Sequence, residues 1–182
     1  MKQYDNMQTV MKKQIEYCLI LSKEFPLTHP RAGEETLFSL RMLAAILKFS
    51  CYHAKLHTIR GNYELWAKRF EKIAAGEAVL SVREWEGKPY RSKQREIARL
   101  TREDGIGIQK LDLMSVLFSG VRKIDYDFWD AYGKFVGLIR KLAANDGLTE
   151  EDWLEWFKEF DYSKPMAIIH FTPFRYEELI ER

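Results

Sequence analysis

The 182-residue chain has only two cysteines, Cys18 and Cys51, far apart in sequence. Two lone thiols argue against a disulfide framework and suit a reducing compartment. No stretch approaches the roughly 20 uninterrupted apolar residues of a membrane helix, so no membrane association is expected. Met1 to Gln14 is polar and mixed in charge, with no apolar run beside a basic start, which argues against a secretory signal. A cytoplasmic protein is the expectation. The chain has no internal repeat, low-complexity tract or long linker, and its length suits one domain. Cys51, His53 and His57 are soft metal-ligand types, but no second cluster completes four ligands. Asp104-Gly105-Ile106-Gly107 lacks the third glycine and the following helix of a dinucleotide fingerprint and reads as a turn. Neither metal nor cofactor is expected.

Bulky rings and an uneven charge distribution are what the chain does have. Aromatics make up 14% of the residues, and each ring admits two readings, core packing or stacking on a base. The net charge of +2 hides a dipole. From Lys55 to Arg102 there are twelve basic residues against six Glu; from Asn145 to Arg182 there are four against ten acidic ones. A polyanion would meet the middle segment first, although such runs also serve as solvated faces.

The hydrophobic periods predict a mixture of short strands and helices. Glu16 to Leu21, Lys55 to Arg60, Ala78 to Trp85, Arg95 to Leu100, Ile108 to Leu113 and Met166 to Thr172 read as strands. Leu37, Leu40, Leu43, Ala44 and Leu47 form a helical stripe within a helical insertion at 34–50. Asn62 caps a helix bearing Trp66, Phe70 and Ile73, which Gly76 ends. Between Val121 and Ala143 the periods conflict: a hairpin around Tyr132-Gly133-Lys134, then a short helix, is the expectation. Thr149 to Asp152 resembles a capping box opening a helix with Trp153, Trp156, Phe157 and Phe160 on one side. A short C-terminal helix closes the chain. The class is α+β.

Lys55-Leu56-His57-Thr58-Ile59-Arg60, the early Ile20 to Lys23 and the later Gly76 to Leu80 together resemble the ASCH family. The strand ending Arg83-Glu84-Trp85, the segment Pro89 to Gln94, Asn145 to Leu148 and Ile168 to Thr172 extend the resemblance from about Tyr17 to Tyr176. The likeness is to uncharacterised phage- and Bacteroides-type members. It implies a small PUA-like β-barrel decorated by several helices, spanning 1–182 as one domain with 1–15 as an N-terminal extension. The strands holding Ile20, Thr58, Leu80, Ile97 and Ile169 should then share one sheet or barrel.

Some members of that family are amidohydrolases that deacetylate N4-acetylcytidine. The resemblance implies Lys55 and Thr58 as their Lys and Thr, and Asp146 in place of their Glu, one methylene shorter. A desolvated Lys takes a proton from a Thr hydroxyl that attacks an amide, and a carboxylic acid protonates the departing amine. Residues one and four of this motif fall on opposite faces of a regular strand, so Lys55 and Thr58 meet only at a bulge or strand end. Lys55 on a polar surface is the other reading.

Arg60, Arg83, Arg91 and Lys93 suit phosphate clamping, or else a solvated face paired with Glu84, Glu86 and Glu96. Trp85 and Tyr90 offer rings to a base, or pack at the barrel mouth. His170, among Ile and Phe, reads as a satisfied core or rim histidine. The leading expectation is therefore a module that binds RNA or a modified nucleoside in a basic cleft. An amidohydrolase of an acylated nucleoside comes second. A protein-binding accessory factor of a phage or mobile element comes third.

Overall fold

The computed structural model describes residues 14–49, 54–118 and 126–179. In chain order the elements are β1 (Ile15–Ile20), α1 (Phe38–Ile46), β2 (His57–Arg60), α2 (Tyr63–Ala74), β3 (Ala78–Trp85), β4 (Gln94–Leu100), β5 (Gly107–Leu111), α3 (Leu113–Phe118), α4 (Tyr126–Asp146), α5 (Glu150–Phe157) and β6 (Met166–His170). Short 3-10 turns follow at Arg102–Asp104 and, in place of the expected C-terminal helix, at Glu177–Leu179. The class is α+β. No helix among the described residues is long and apolar enough to cross a membrane. The extension expected over 1–15 overlaps β1, because Ile15 already pairs with Ala78; residues 1–13 lie outside the described ones.

The strands form two three-stranded sheets, in the orders β1-β3-β4 and β2-β6-β5. β1 runs parallel to β3, and β4 antiparallel with a register break between Val82 and Arg83. In the second sheet β6 pairs antiparallel with both neighbours. The sequence places Ile20, Thr58, Leu80, Ile97 and Ile169 together. Instead Ile20, Leu80 and Ile97 lie in the first sheet, and Thr58 and Ile169 in the second. β2 has only four residues, and where it ends a side chain replaces a ladder: Arg60 Nη2 donates to the carbonyl of Ile20, the last residue of β1, at 2.5 Å.

The central strands are the most apolar ones, as sheets covered on both faces require. All five residues of β6 are buried, as are the first five of β3. α2 spans the sheets, packing on β3, β5 and β6, and buries Trp66, Phe70 and Ile73. Each such side chain contributes about 1.5–3 kcal/mol relative to exposure. Asn62 caps α2 by accepting from the Leu65 amide at 3.1 Å. α4 packs on β2 and α5, and α5 buries Trp153 and Phe157.

The region read as a hairpin around Tyr132-Gly133-Lys134 is helical throughout, within α4. The stripe Leu138, Ile139, Leu142 and Ala143 is fully buried, and this outweighs the glycines at 133 and 137. A glycine inside a helix costs about 1 kcal/mol, less than burying one of those side chains gains. Neither has a positive φ, and both continue the helix rather than turn it. The Asp104-Gly105 segment is the expected turn: Gly105 has φ +71°, and a Cβ there would meet Pro173 Cγ at 2.6 Å.

Candidate active site

A cavity of about 870 Å³ opens between the loop after β1, the loop after β3 and the ends of β2, α4 and α5. Small-ligand sites occupy about 300–1,000 Å³. Phe25, Phe38, Trp156 and Phe157 form aromatic walls, and Lys55, Thr58, Arg60 and Asp146 border the floor. Lys55, Thr58 and Asp146 are buried and Arg60 is half-buried, and such burial of polar side chains requires pairing.

Lys55 stands two residues ahead of β2, so strand alternation does not govern it, and it borders the same cavity as Thr58. Its segment is clamped on three sides. The Lys55 amide donates to Arg41 of α1 at 3.3 Å, the Leu56 amide to Asn145 of α4 at 2.7 Å, and the Phe171 amide to Leu56 at 2.9 Å. Asp146 is the last residue of α4, not a loop residue. Beyond it Gly147, at φ +78°, and Leu148 turn back with amide bonds to Ala144 (3.2 Å) and Ala143 (2.9 Å), a Schellman motif. The negative end of the helix dipole therefore points at the floor, and cations gather there. Lys55 Nζ donates to the Asp146 carbonyl at 2.7 Å and to its carboxylate Oδ1, while Arg41 Nη1 donates to the Gly147 carbonyl. The Lys55 ammonium also lies 3.9 Å from the Phe38 ring centroid, a cation–π contact.

Burial dominates the electrostatics of this pair. It pushes the Lys55 amine down to about 8, helped by Arg60 and Arg41 and opposed by Asp146. It pushes the Asp146 carboxyl up, opposed by Lys55 and Arg60. Both shifts bring the neutral pair closer in energy to the ion pair, from which it differs by one proton moved along an existing hydrogen bond. Thr58 is held apart from Lys55: its Oγ1 accepts from Arg60 Nη1 at 2.9 Å. Arg60 donates further to the carbonyls of Ile59 (2.8 Å) and Ile20 (2.5 Å). A guanidinium on the hydroxyl oxygen favours the alkoxide.

Of the residues expected to hold nucleic acid, Trp85, Tyr90 and Arg91 line the cavity mouth. The Trp85 and Tyr90 rings lie 5.4 Å apart, and Tyr90 is 90% exposed. Arg60 is internal, spent on two backbone carbonyls and Thr58. Arg83 is turned to the outer face of the first sheet, bonded to Glu16 and to Ser81 Oγ (2.8 Å), and Lys93 does not border the cavity.

Sequence reasoning missed Arg41, Asn145 and Tyr176, and saw His57 only as a ligand type. Behind the floor His57 Nε2 lies 2.7 Å from the Tyr176 hydroxyl, which accepts from Asn145 Nδ2 at 3.0 Å. Their spacings of 31 and 119 residues from Tyr176 leave no local signal. His170 is buried, as expected, but not satisfied: neither ring nitrogen has a hydrogen-bond partner among the described residues. Packed among Tyr176, Phe174 and His57, its ring is pushed by burial down to about 3 and stays neutral. Cys51 and His53 lie outside the described residues. No protein-family model, curated protein or solved structure matches the chain.

Proposed function

We propose that the chain is an amidohydrolase acting on an acylated nucleoside of the N4-acetylcytidine type. The observation that carries this reading is the buried Lys55–Asp146 hydrogen bond on the floor of a ligand-sized cavity that Thr58 also borders. In the neutral form of the pair, Lys55 takes the Thr58 proton as Oγ1 attacks the amide carbonyl carbon. Arg60 lies beside the developing negative charge. The C–N bond breaks as Asp146 gives its proton to the departing amine. Water then attacks the Thr58 ester, giving a proton to Asp146 as Lys55 returns its own to Thr58 Oγ1, so the acid leaves and the neutral pair is restored. Aromatic walls suit a planar base; the division of the strands between two sheets, where a PUA-like barrel would join them, counts against that framework, so the reading rests on the site alone.

The test is acetate release from N4-acetylcytidine by purified protein. Lys55→Ala and Thr58→Ala should each abolish turnover, with folding checked by near-UV circular dichroism. Robust turnover that persists in Thr58→Ala would refute the nucleophile. A second reading, binding of RNA, has one specific observation in its favour. Lys88 and Arg91, on the mouth loop with exposed Tyr90, have no ion-pair partner among the described residues. Under it, RNA affinity falls steeply with salt and Arg91→Ala flattens that slope. Lys93→Ala, off the cavity, should leave the slope unchanged.

A further inference from the structure

We propose that His57 is a positioning residue for Asp146: its Nδ1–H takes hold of carboxylate Oδ1 when Lys55 Nζ turns from that oxygen to Thr58, with Tyr176 fixing the tautomer of the ring. This rests on the reading of Lys55 and Asp146 as the base and acid of the site. His57 Nδ1 lies 4.0 Å from Asp146 Oδ1, the same oxygen that Lys55 holds. Nδ1 is buried and has no hydrogen-bond partner among the described residues. A buried polar atom left unpaired is destabilising, and here it faces the group that needs a donor once Lys55 leaves. Closing the gap to an ordinary N–H···O distance takes a movement of about 1 Å.

The tautomer follows from the network, as it must where hydrogens are assigned from their partners. The Tyr176 hydroxyl accepts from Asn145 Nδ2 at 3.0 Å. Of the two acceptors described for it, His57 Nε2 at 2.7 Å is much nearer than the Lys141 carbonyl at 3.4 Å. In the proposed arrangement the hydroxyl donates to Nε2, which puts the ring proton on Nδ1. The opposite tautomer would turn a lone pair towards the Asp146 carboxylate. The ring does not act as an acid: burial, with His170 and Lys55 beside it, holds it neutral. A neutral donor placed behind Asp146 keeps the carboxyl from rotating while its proton is delivered, and supports the carboxylate left afterwards.

Two measurements on the intact protein test this. Nitrogen-15 spectra of the wild type should show His57 protonated on Nδ1; an Nε2–H tautomer overturns the inference without any variant. The Lys55 Cε carbon should then be followed through its titration near pH 8. Removing the donor in His57→Leu makes the carboxylate depend on Lys55 alone, so the midpoint should rise, by about one pH unit for a tenfold change. His57→Asn, which keeps an N–H near the Nδ1 position, should return it towards the wild-type value. Tyr176→Phe, which preserves the ring, should move it the same way by less. A midpoint unchanged in folded His57→Leu and Tyr176→Phe overturns the proposal. With turnover on N4-acetylcytidine, kcat should fall about tenfold in His57→Leu at unchanged KM and recover in His57→Asn. A wild type that shows these titration shifts but hydrolyses no acylated nucleoside supports the His57–Asp146 coupling and refutes the amidohydrolase.

Discussion

The same kinds of side chain meet in two places with opposite consequences. On the outer face of the first sheet Arg83 and Arg99 pair with Glu16 and Glu96, all at least a quarter exposed. At the cavity floor Lys55 pairs with Asp146, and the two side chains are 1% and 4% exposed. On the surface, water already solvates each partner, and the pairs add little. In the interior the charges have lost their solvation, so each shifts towards its neutral form, and breaking the pair strands the survivor. Charge count along the sequence weights the two places equally, whereas burial separates a solvated surface from a reactive site.

The sharpest way to break the contrast is to remove one buried partner. Lys55→Met or Asp146→Leu alone should lose about 3–5 kcal/mol of stability in urea unfolding, with the double variant recovering much of it. Single variants as stable as wild type would mean that the pair is solvated after all. Asp146→Glu comes next. The resemblance implies a Glu at this position, but Asp146 already reaches Nζ. An added methylene in a packed site should cost about 1–3 kcal/mol and lower turnover.

The pH dependence is a smaller effect with a definite sign. Folded Lys55 titrates at about 8 and the unfolded side chain at 10.5, so between those values the unfolded chain binds more protons. Stability from this group therefore rises with pH across that window, and the rise should vanish in Lys55→Met. Turnover, which needs the pair's one proton on Asp146, should fall as that proton is lost above the same midpoint near 8. Smallest of all, a double-mutant cycle on Arg83 and Glu16 should give a coupling below about 1 kcal/mol that salt abolishes. A larger, salt-resistant value would erase the distinction between the two regions.

What was legible in the sequence follows the range of the interactions. The strands around Val79, Thr58 and Ile168 and the caps at Asn62 and Thr149 are local signals, and they stand where the pattern puts them. At Thr149 only half of the box forms: Asp152 gives its carboxylate to Arg31, 2.7 Å away, and its amide to the Thr149 hydroxyl. Around the start of α4 the alternation of Ile124, Tyr126 and Phe128 and the glycine at 133 imitate a strand and turn; Ile124 lies outside the described residues. Its buried stripe was visible only from Phe135 onwards. The division into two sheets was not legible, since it depends on which edge the four-residue β2 meets. The Lys55–Asp146 pair came from a likeness in order, not from spacing. The layer behind it, with His57, Asn145 and Tyr176, joins residues that no local pattern links.

Arg60 has a mechanical meaning as well as an electrical one. One arm of its guanidinium grips the end of β1 and the other the hydroxyl of Thr58, so the gap between the sheets is transmitted to a single oxygen atom. Slack anywhere along that span, from a ligand wedged between the sheets or a lengthened strand end, displaces the hydroxyl before it disturbs the core. Its alignment is thus a gauge of how stiffly the two halves of the framework are tied, and a looser framework would show first as a misplaced hydroxyl, well before unfolding.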